Sequence, residues 1–201
     1  LSQKFNVPIF EDDCYADLMW GGNRPASIRS LDTEGRVIYC GSFSKSVAPA
    51  LRVGYLVADS RVLSRILPYK TDGGSGLLEQ IILAEFCKKN FYDHLEIVNK
   101  RLKFKSEVMC HALKKHFGDY VSYTKPDGGI YIWVRFVNPI DTYTLSLRAL
   151  KSGVAINPGC EWSIRKDSNQ YFRACFAFPS QDEINAGITQ LSQIYKSEFN
   201  R

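Results

Sequence analysis

A lysine with two serines just before it and an arginine seven residues on is the feature of this chain that could do chemistry: Ser42-Phe43-Ser44-Lys45, then Arg52. A lysine amine attacks a carbonyl only while part of its population is uncharged, which desolvation and nearby cations promote. Arg52 supplies such a cation, and a guanidinium also makes paired hydrogen bonds to phosphate oxygens. Ser42 and Ser44 add short hydroxyl donors to the same anion. Without these neighbours Lys45 would read as a surface lysine. Asp12, with Tyr15 three residues later, offers a carboxylate that can keep a pyridinium nitrogen protonated and a phenol that can donate to a ring oxygen. Taken locally, Glu11-Asp12-Asp13 reads first as a solvated turn, with Tyr15 in the core. Arg173 lies in the otherwise apolar run Tyr171-Phe172-Arg173-Ala174-Cys175-Phe176. A buried cation is costly unless paired, so its partner is a substrate carboxylate or a structural acid, unless the strand is an edge facing water. Local sequence does not choose among these.

The elements that must position these residues follow from periodicity and breakers. Val7–Phe10 reads as a short buried strand running into the acidic triplet. Arg36–Cys40 is a second strand and Leu51–Val57, after Pro49, a third. Polar residues at the C-terminal ends of apolar strands are how an open α/β sheet builds a ligand crevice. Gly73-Gly74-Ser75-Gly76 precedes a long helical pattern from Leu77 to Phe117. Free N–H groups at a helix start attract anions, but the glycine run reads more simply as a flexible loop. A break near Lys88–Phe91 is expected, and the domain boundary is placed there, giving residues 1–90 and 91–201. Beyond it, Tyr131–Val134 reads as a strand after the Pro126-Asp127-Gly128-Gly129 turn, and Asp141–Ser152 as a helix stopped by Gly153. Val154–Ile156 and Phe172–Phe178 read as strands. A last helix opens on a Ser180/Glu183 capping box with Ile184, Ile188 and Leu191 on one face.

Composition narrows the classes. The 201 residues are 45% hydrophobic and 23% charged, enough for a substantial core, and the net charge of +5 is dispersed. The Lys100, Arg101, Lys103, Lys105 cluster reads as a solvated helix face rather than a nucleic-acid patch. No run approaches the roughly 18 apolar residues of a membrane span, and no secretory leader is seen. The six cysteines contain no CxxC pair, which suits reduced thiols in the cytoplasm. His111 and His116 are five apart on a helical pattern, so no metal site is expected. The chain opens on Leu1, and a preceding N-terminal region is expected.

Pyridoxal 5′-phosphate (PLP) makes four demands on a protein: a lysine for the imine, an acid for the pyridine nitrogen, donors for the phosphate and a cation for the substrate carboxylate. Lys45, Asp12, the Ser42/Ser44/Arg52 set and Arg173 answer them in order. Together the segments resemble the class I/II aminotransferases of PLP fold type I. Glu11-Asp12-Asp13-Cys14-Tyr15 is similar to that family's EDDxY segment. Gly41 to Tyr55 resembles its SFSKxxxPxLRxGY signature, and Pro126 to Trp133 its PxGGxFxW, with Tyr131 in place of Phe. Gly153-Val154, Pro158-Gly159 and Phe172-Arg173 resemble the segment that ends in a carboxylate-binding arginine.

The resemblance implies an α/β fold: the C-terminal part of a large PLP domain, as a partial open sheet, followed by a small α+β domain. It implies Lys45 as Schiff-base lysine and general base, Asp12 as partner of the pyridine nitrogen, and Tyr15 at the ring oxygen. Ser42, Ser44 and Arg52 would bind phosphate and Arg173 the substrate carboxylate. Amino acids and 2-oxo acids are the implied substrates, a homodimer the implied assembly. About half the family's large domain precedes this stretch, so the 201 residues alone are expected to be inactive. Two other readings stay open: a PLP-sensing C-terminal domain of a winged-helix transcription regulator, which would meet nucleic acid through an upstream region, and a PLP-dependent β-lyase.

Overall fold

The computed structural model describes residues 1–199. They divide into two compact units, Leu1–Asn99 and a second that begins at Lys100. The first holds helix α1 (Ser2–Phe5), strands β1 (Ile9–Asp12), β2 (Val37–Ser42) and β3 (Gly54–Val57), and helix α2 (Ser60–Ile66). β1 and β2 are parallel, with Asp12 opposite Cys40; β3 returns antiparallel, with Gly54 opposite Ser42. The order β1-β2-β3 makes β1 and β3 the edges. Central β2 alternates buried and half-buried positions, whereas all four residues of β3 are exposed. Gly41 is set by packing: a Cβ there would come within 2.2 Å of the Tyr55 ring, on the residue it pairs with across β2 and β3.

Helix α3 (Leu77–Phe117) runs unbroken, which corrects the break expected near Lys88–Phe91. No glycine or proline lies between Gly76 and Gly118, so nothing in that interval removes an intrahelical hydrogen bond. Lys88 instead pairs with Glu85 one turn back. The compact units divide after Asn99, inside this helix, whereas the sequence reading put the boundary after residue 90.

The second unit contains β4 (Val121–Tyr123), β5 (Tyr131–Phe136), helix α4 (Thr142–Lys151), β6 (Asn157–Pro158), β7 (Tyr171–Cys175) and helix α5 (Gln181–Ile194). Its sheet is antiparallel in the order β4-β5-β7-β6. Strict alternation along β5 sends Ile132, Val134 and Phe136 inward, where Phe117, Phe172, Leu145, Leu191 and Tyr195 close an apolar core. Tyr195 stacks on Phe136 with centroids 4.7 Å apart. Asp141 caps α4 by accepting from the Tyr143 and Thr144 N–H groups. Both halves of the Ser180/Glu183 capping box form, and Ile184, Ile188 and Leu191 are buried along α5.

Four strand expectations need correcting. Val7–Phe10, expected as a buried strand, pairs only from Ile9 and runs on to Asp12, with Phe10 exposed, because β1 is an edge of its sheet. Val154–Ile156 forms no ladder, because the Val154 N–H is spent on the Ala149 carbonyl at the end of α4 and Gly153 turns the chain at φ 81°. Pairing with β7 starts only at Asn157. The strand expected from Leu51 starts at Gly54, since Pro49–Leu51 is a 3₁₀ turn closed by a left-handed Arg52. β7 ends at Cys175, three residues before Phe178. Strand β4 and helix α2 are too short to have announced themselves by periodicity. Among the described residues no helix is long and apolar enough to cross a membrane, and no cluster of His, Cys, Asp or Glu could hold a metal ion.

Candidate active site

Six of the seven site residues named from sequence gather at one end of the first sheet. Asp12 is the last residue of β1 and Ser42 the last of its parallel neighbour β2. Because β3 is antiparallel, its first residue Gly54 pairs with Ser42, which brings Arg52 to the same end. Ser44 and Lys45 follow β2 in a tight turn, where Val47 and Ala48 both donate to the Phe43 carbonyl at 2.9 and 3.1 Å. The Ser44 N–H donates to Ser42 Oγ at 3.1 Å. The turn is pinned from α3, whose His94 Nε2 donates to the buried Ser46 carbonyl at 3.0 Å. Lys45 itself is exposed and its Nζ stands 5.9 Å from the Tyr15 ring centroid.

The acidic triplet is not one solvated turn. Glu11 accepts from the Ile28 and Arg29 N–H groups, both at 2.8 Å, and so ties β1 to the following 3₁₀ turn. Asp13 accepts from Tyr39 Oη at 2.9 Å and pairs with Arg24 at 3.2 Å. Burial and that Asp13 carboxylate hold the Tyr39 phenol well above the ordinary tyrosine range. Asp12, between them, is exposed and accepts the Cys14 N–H at 3.4 Å. Burial and a hydrogen bond with Asp12 push the Cys14 thiol upward as well. Period two along β1 separates these jobs: Glu11 faces one way, Asp12 the other.

Arg52 is a non-glycine residue in the left-handed region, at φ 52° and ψ 37°, a conformation that costs about 1 kcal/mol. Its Nη1 donates to the Pro49 carbonyl at 3.2 Å, and its own carbonyl takes a hydrogen bond from Ser75 Oγ at 3.3 Å. That contact draws the glycine run before α3 up to Arg52. The sequence alone reads the run as a flexible loop, since nothing local ties Ser75 to a residue 23 positions earlier.

Arg173 lies in the second unit, and two of its three local readings fail. β7 is flanked by β5 and β6, so it is no edge strand. Among the described residues no carboxylate pairs with it. The guanidinium carbon instead lies over two aromatic rings, 3.3 Å from the Trp162 centroid and 4.0 Å from that of Tyr131. Its Nη2 donates to Asn157 Oδ1 at 3.3 Å, and its Nε is buried without a partner. Aromatic rings thus pack on the guanidinium while hydrogen-bonding capacity at its edge is left over. Trp162 and Asn157 escaped the sequence reading because loops separate them from Arg173.

The model of the family Aminotransferase class I and II matches residues 1–191. The chain belongs to the class I and II aminotransferase family. Relatives of this chain include an uncharacterized aminotransferase of Saccharolobus solfataricus, 32% identical over 100% of this chain and 51% of that protein. An uncharacterized HTH-type transcriptional regulator of Bacillus subtilis is also 32% identical, over 100% of this chain and 42% of its own length. The kynurenine aminotransferase of Pyrococcus horikoshii, solved with PMP, superposes with a TM-score of 0.90 at 32% identity, covering 98% of this chain and 50% of that one. The chain thus spans about half the length of the relatives it matches. Its fold is the C-terminal part of the fold type I aminotransferases, as the α/β reading expected.

Proposed function

We propose that this chain works within a PLP-dependent aminotransferase that moves an amino group between an amino acid and a 2-oxo acid. What carries the reading is the gathering of an amine (Lys45), an acid (Asp12), a phenol (Tyr15) and a guanidinium (Arg52) at one end of a small sheet. These residues fit the cofactor. Among the described residues Arg52 and Arg173 lack a carboxylate partner, and the orphaned Nε of Arg173 is what a cation prepared for an absent anion leaves behind.

Bound PLP supplies an electrophilic aldehyde carbon and a ring that accepts the electron pair of a bond broken at the substrate Cα. Lys45 would hold the cofactor and, as general base, carry the proton between the substrate Cα and the cofactor C4′. Asp12 keeps the ring nitrogen protonated, and Tyr15 donates to the ring oxygen. Ser42, Ser44 and Arg52 bind the phosphate; Arg173 binds the α-carboxylate and so orients the Cα bonds. A homodimer in the cytoplasm is part of the same reading. Borohydride reduction of the full-length protein with PLP should label Lys45, and amino-donor screening against 2-oxoglutarate and pyruvate should show turnover. A label on another lysine, or none, sinks the assignment.

A second reading has its own support: similarity to HTH-type transcriptional regulators, 35% identical in one Bacillus subtilis case. In that case the same residues sense the cofactor or an amino acid rather than turning it over. Full-length protein that labels at Lys45, binds DNA and transaminates no donor would favour it.

A further inference from the structure

We infer that Arg24 is a positioning residue that holds the turn carrying Tyr15 against Lys45; the inference rests on the cofactor-site reading above. Arg24 lies outside every segment that suggested the family, in Gly21-Gly22-Asn23-Arg24-Pro25. Its Nη1 donates to Asp17 Oδ1 at 3.0 Å, and its Nη2 lies 3.2 Å from Asp13 Oδ2 and 3.3 Å from Tyr39 Oη. Asp13 and Asp17 sit two residues to either side of Tyr15. One guanidinium therefore staples both feet of the loop whose tip is Tyr15.

The loop between those feet is a turn, closed by the Ala16 N–H to the Asp13 carbonyl at 3.3 Å and the Leu18 N–H to the Tyr15 carbonyl at 2.9 Å. Each foot is also fastened to the body of the unit. Tyr39, buried on β2, donates to Asp13, and Asn99 Nδ2 donates to the Asp17 carbonyl at 3.0 Å. Leu18, just past the second foot, is 2% exposed. Without Arg24, two carboxylates brought within reach of one group would repel each other. The Asp17 side chain would then swing away from Asp13, loosening the turn between the two feet and letting the Tyr15 ring shift. Arg24 is 49% exposed as a side chain, so its ion pairs contribute little to global stability. What they set is the place of the phenol.

The test uses the full-length protein with Arg24→Gln, Arg24→Lys, Tyr15→Phe and the Arg24→Gln/Tyr15→Phe double variant. Read out are the absorbance of the bound cofactor against pH, cofactor affinity, borohydride labelling of Lys45, and the thermal midpoint. Arg24→Gln should shift the pH midpoint of that absorbance in the same direction as Tyr15→Phe and weaken cofactor binding by about tenfold, with little change in thermal midpoint. Arg24→Lys should restore only part of the shift, since an ammonium lacks the fork that spans two carboxylates. In the Tyr15→Phe background, removing Arg24 should add no further shift. A wild-type spectrum and affinity in Arg24→Gln overturn the inference, as does an undiminished shift in the double variant. A thermal midpoint that falls in Arg24→Gln and Arg24→Lys alike, with the shift following it, overturns it in favour of a purely structural role. Absence of label on Lys45 in the wild type would defeat the cofactor reading itself. Label present there, with Arg24→Gln unchanged, defeats the positioning role alone.

Discussion

The Nζ of Lys45 stands over the ring of Tyr15, 5.9 Å from its centroid, across the ends of two parallel strands. The two residues are 30 positions apart in the chain, and the β1–β2 pairing makes them neighbours. Lys45→Arg and Lys45→Ala should both abolish the borohydride-trapped label in the full-length protein, because arginine keeps the charge but cannot condense with an aldehyde. Tyr15→Phe should keep the label while changing the cofactor absorbance. Mass mapping of the reduced protein decides, and label persisting in Lys45→Ala contradicts the assignment.

Arg52 combines an unfavourable backbone with a guanidinium that meets no carboxylate among the described residues, and the two are separable. Asparagine visits the left-handed region readily, so Arg52→Asn should leave the thermal midpoint nearly unchanged. It should weaken PLP binding by about tenfold to a hundredfold, the worth of charge-assisted hydrogen bonds of about 1.5–3 kcal/mol. Equal PLP titration curves for the variant and wild type would remove Arg52 from the phosphate site.

The Arg173 guanidinium lies over the rings of Trp162 and Tyr131. Arg173→Lys, which forfeits the planar fork, should raise the KM for amino acid substrates by about two orders of magnitude. Trp162→Ala should raise it less, by about tenfold at most, in line with a cation–π contact of about 0.5–2 kcal/mol. Steady-state kinetics on an accepted donor checks the order; an unchanged KM in Arg173→Lys places the carboxylate elsewhere.

The Ser180/Glu183 box gives a prediction about stability rather than catalysis. Ser180→Ala should cost about 1 kcal/mol. Hydrogen bonds from the Ser180 N–H and side chain hold the Glu183 carboxyl below its ordinary value. A depressed folded pKa contributes stability that is complete above the unfolded value, about pH 4.3, and is lost as pH falls through the folded one. Glu183→Gln should therefore flatten the acid limb of the stability profile in chemical denaturation between pH 6 and 3 (both about). An acid limb identical to that of wild type would show that Glu183 is not linked to folding.

Among the described residues neither edge of the first sheet has a further partner strand, and Tyr55, Leu56 and Val57 along β3 are exposed. Such an edge is a template for further pairing. Residues 1–201 expressed alone should self-associate in sedimentation and bind PLP poorly. A monodisperse monomer that labels at Lys45 and turns over would reverse this.

Much of this was legible in the chain itself. Lys45 with Arg52 seven residues on, the strand runs ending in polar residues, and the capping box before Ile184 are local patterns, and local patterns survive into the fold because propensity, spacing and hydrogen bonding act over a few residues. The unbroken α3 was also written there, in the absence of glycine and proline, but the polar run Lys88-Lys89-Asn90 interrupts its apolar pattern. Other things rested on contacts between residues far apart in sequence. Nothing local separates Glu11, Asp12 and Asp13, yet pairing of β1 with β2 sends one carboxylate to backbone N–H groups, leaves one exposed, and gives one to Tyr39 and Arg24. Likewise the sequence left Arg173 undecided between a salt bridge, an edge strand and a substrate partner. The position of β7 inside its sheet and the rings of Trp162 and Tyr131 excluded the first two, because burial and partnership belong to the packed chain and not to the order of its residues.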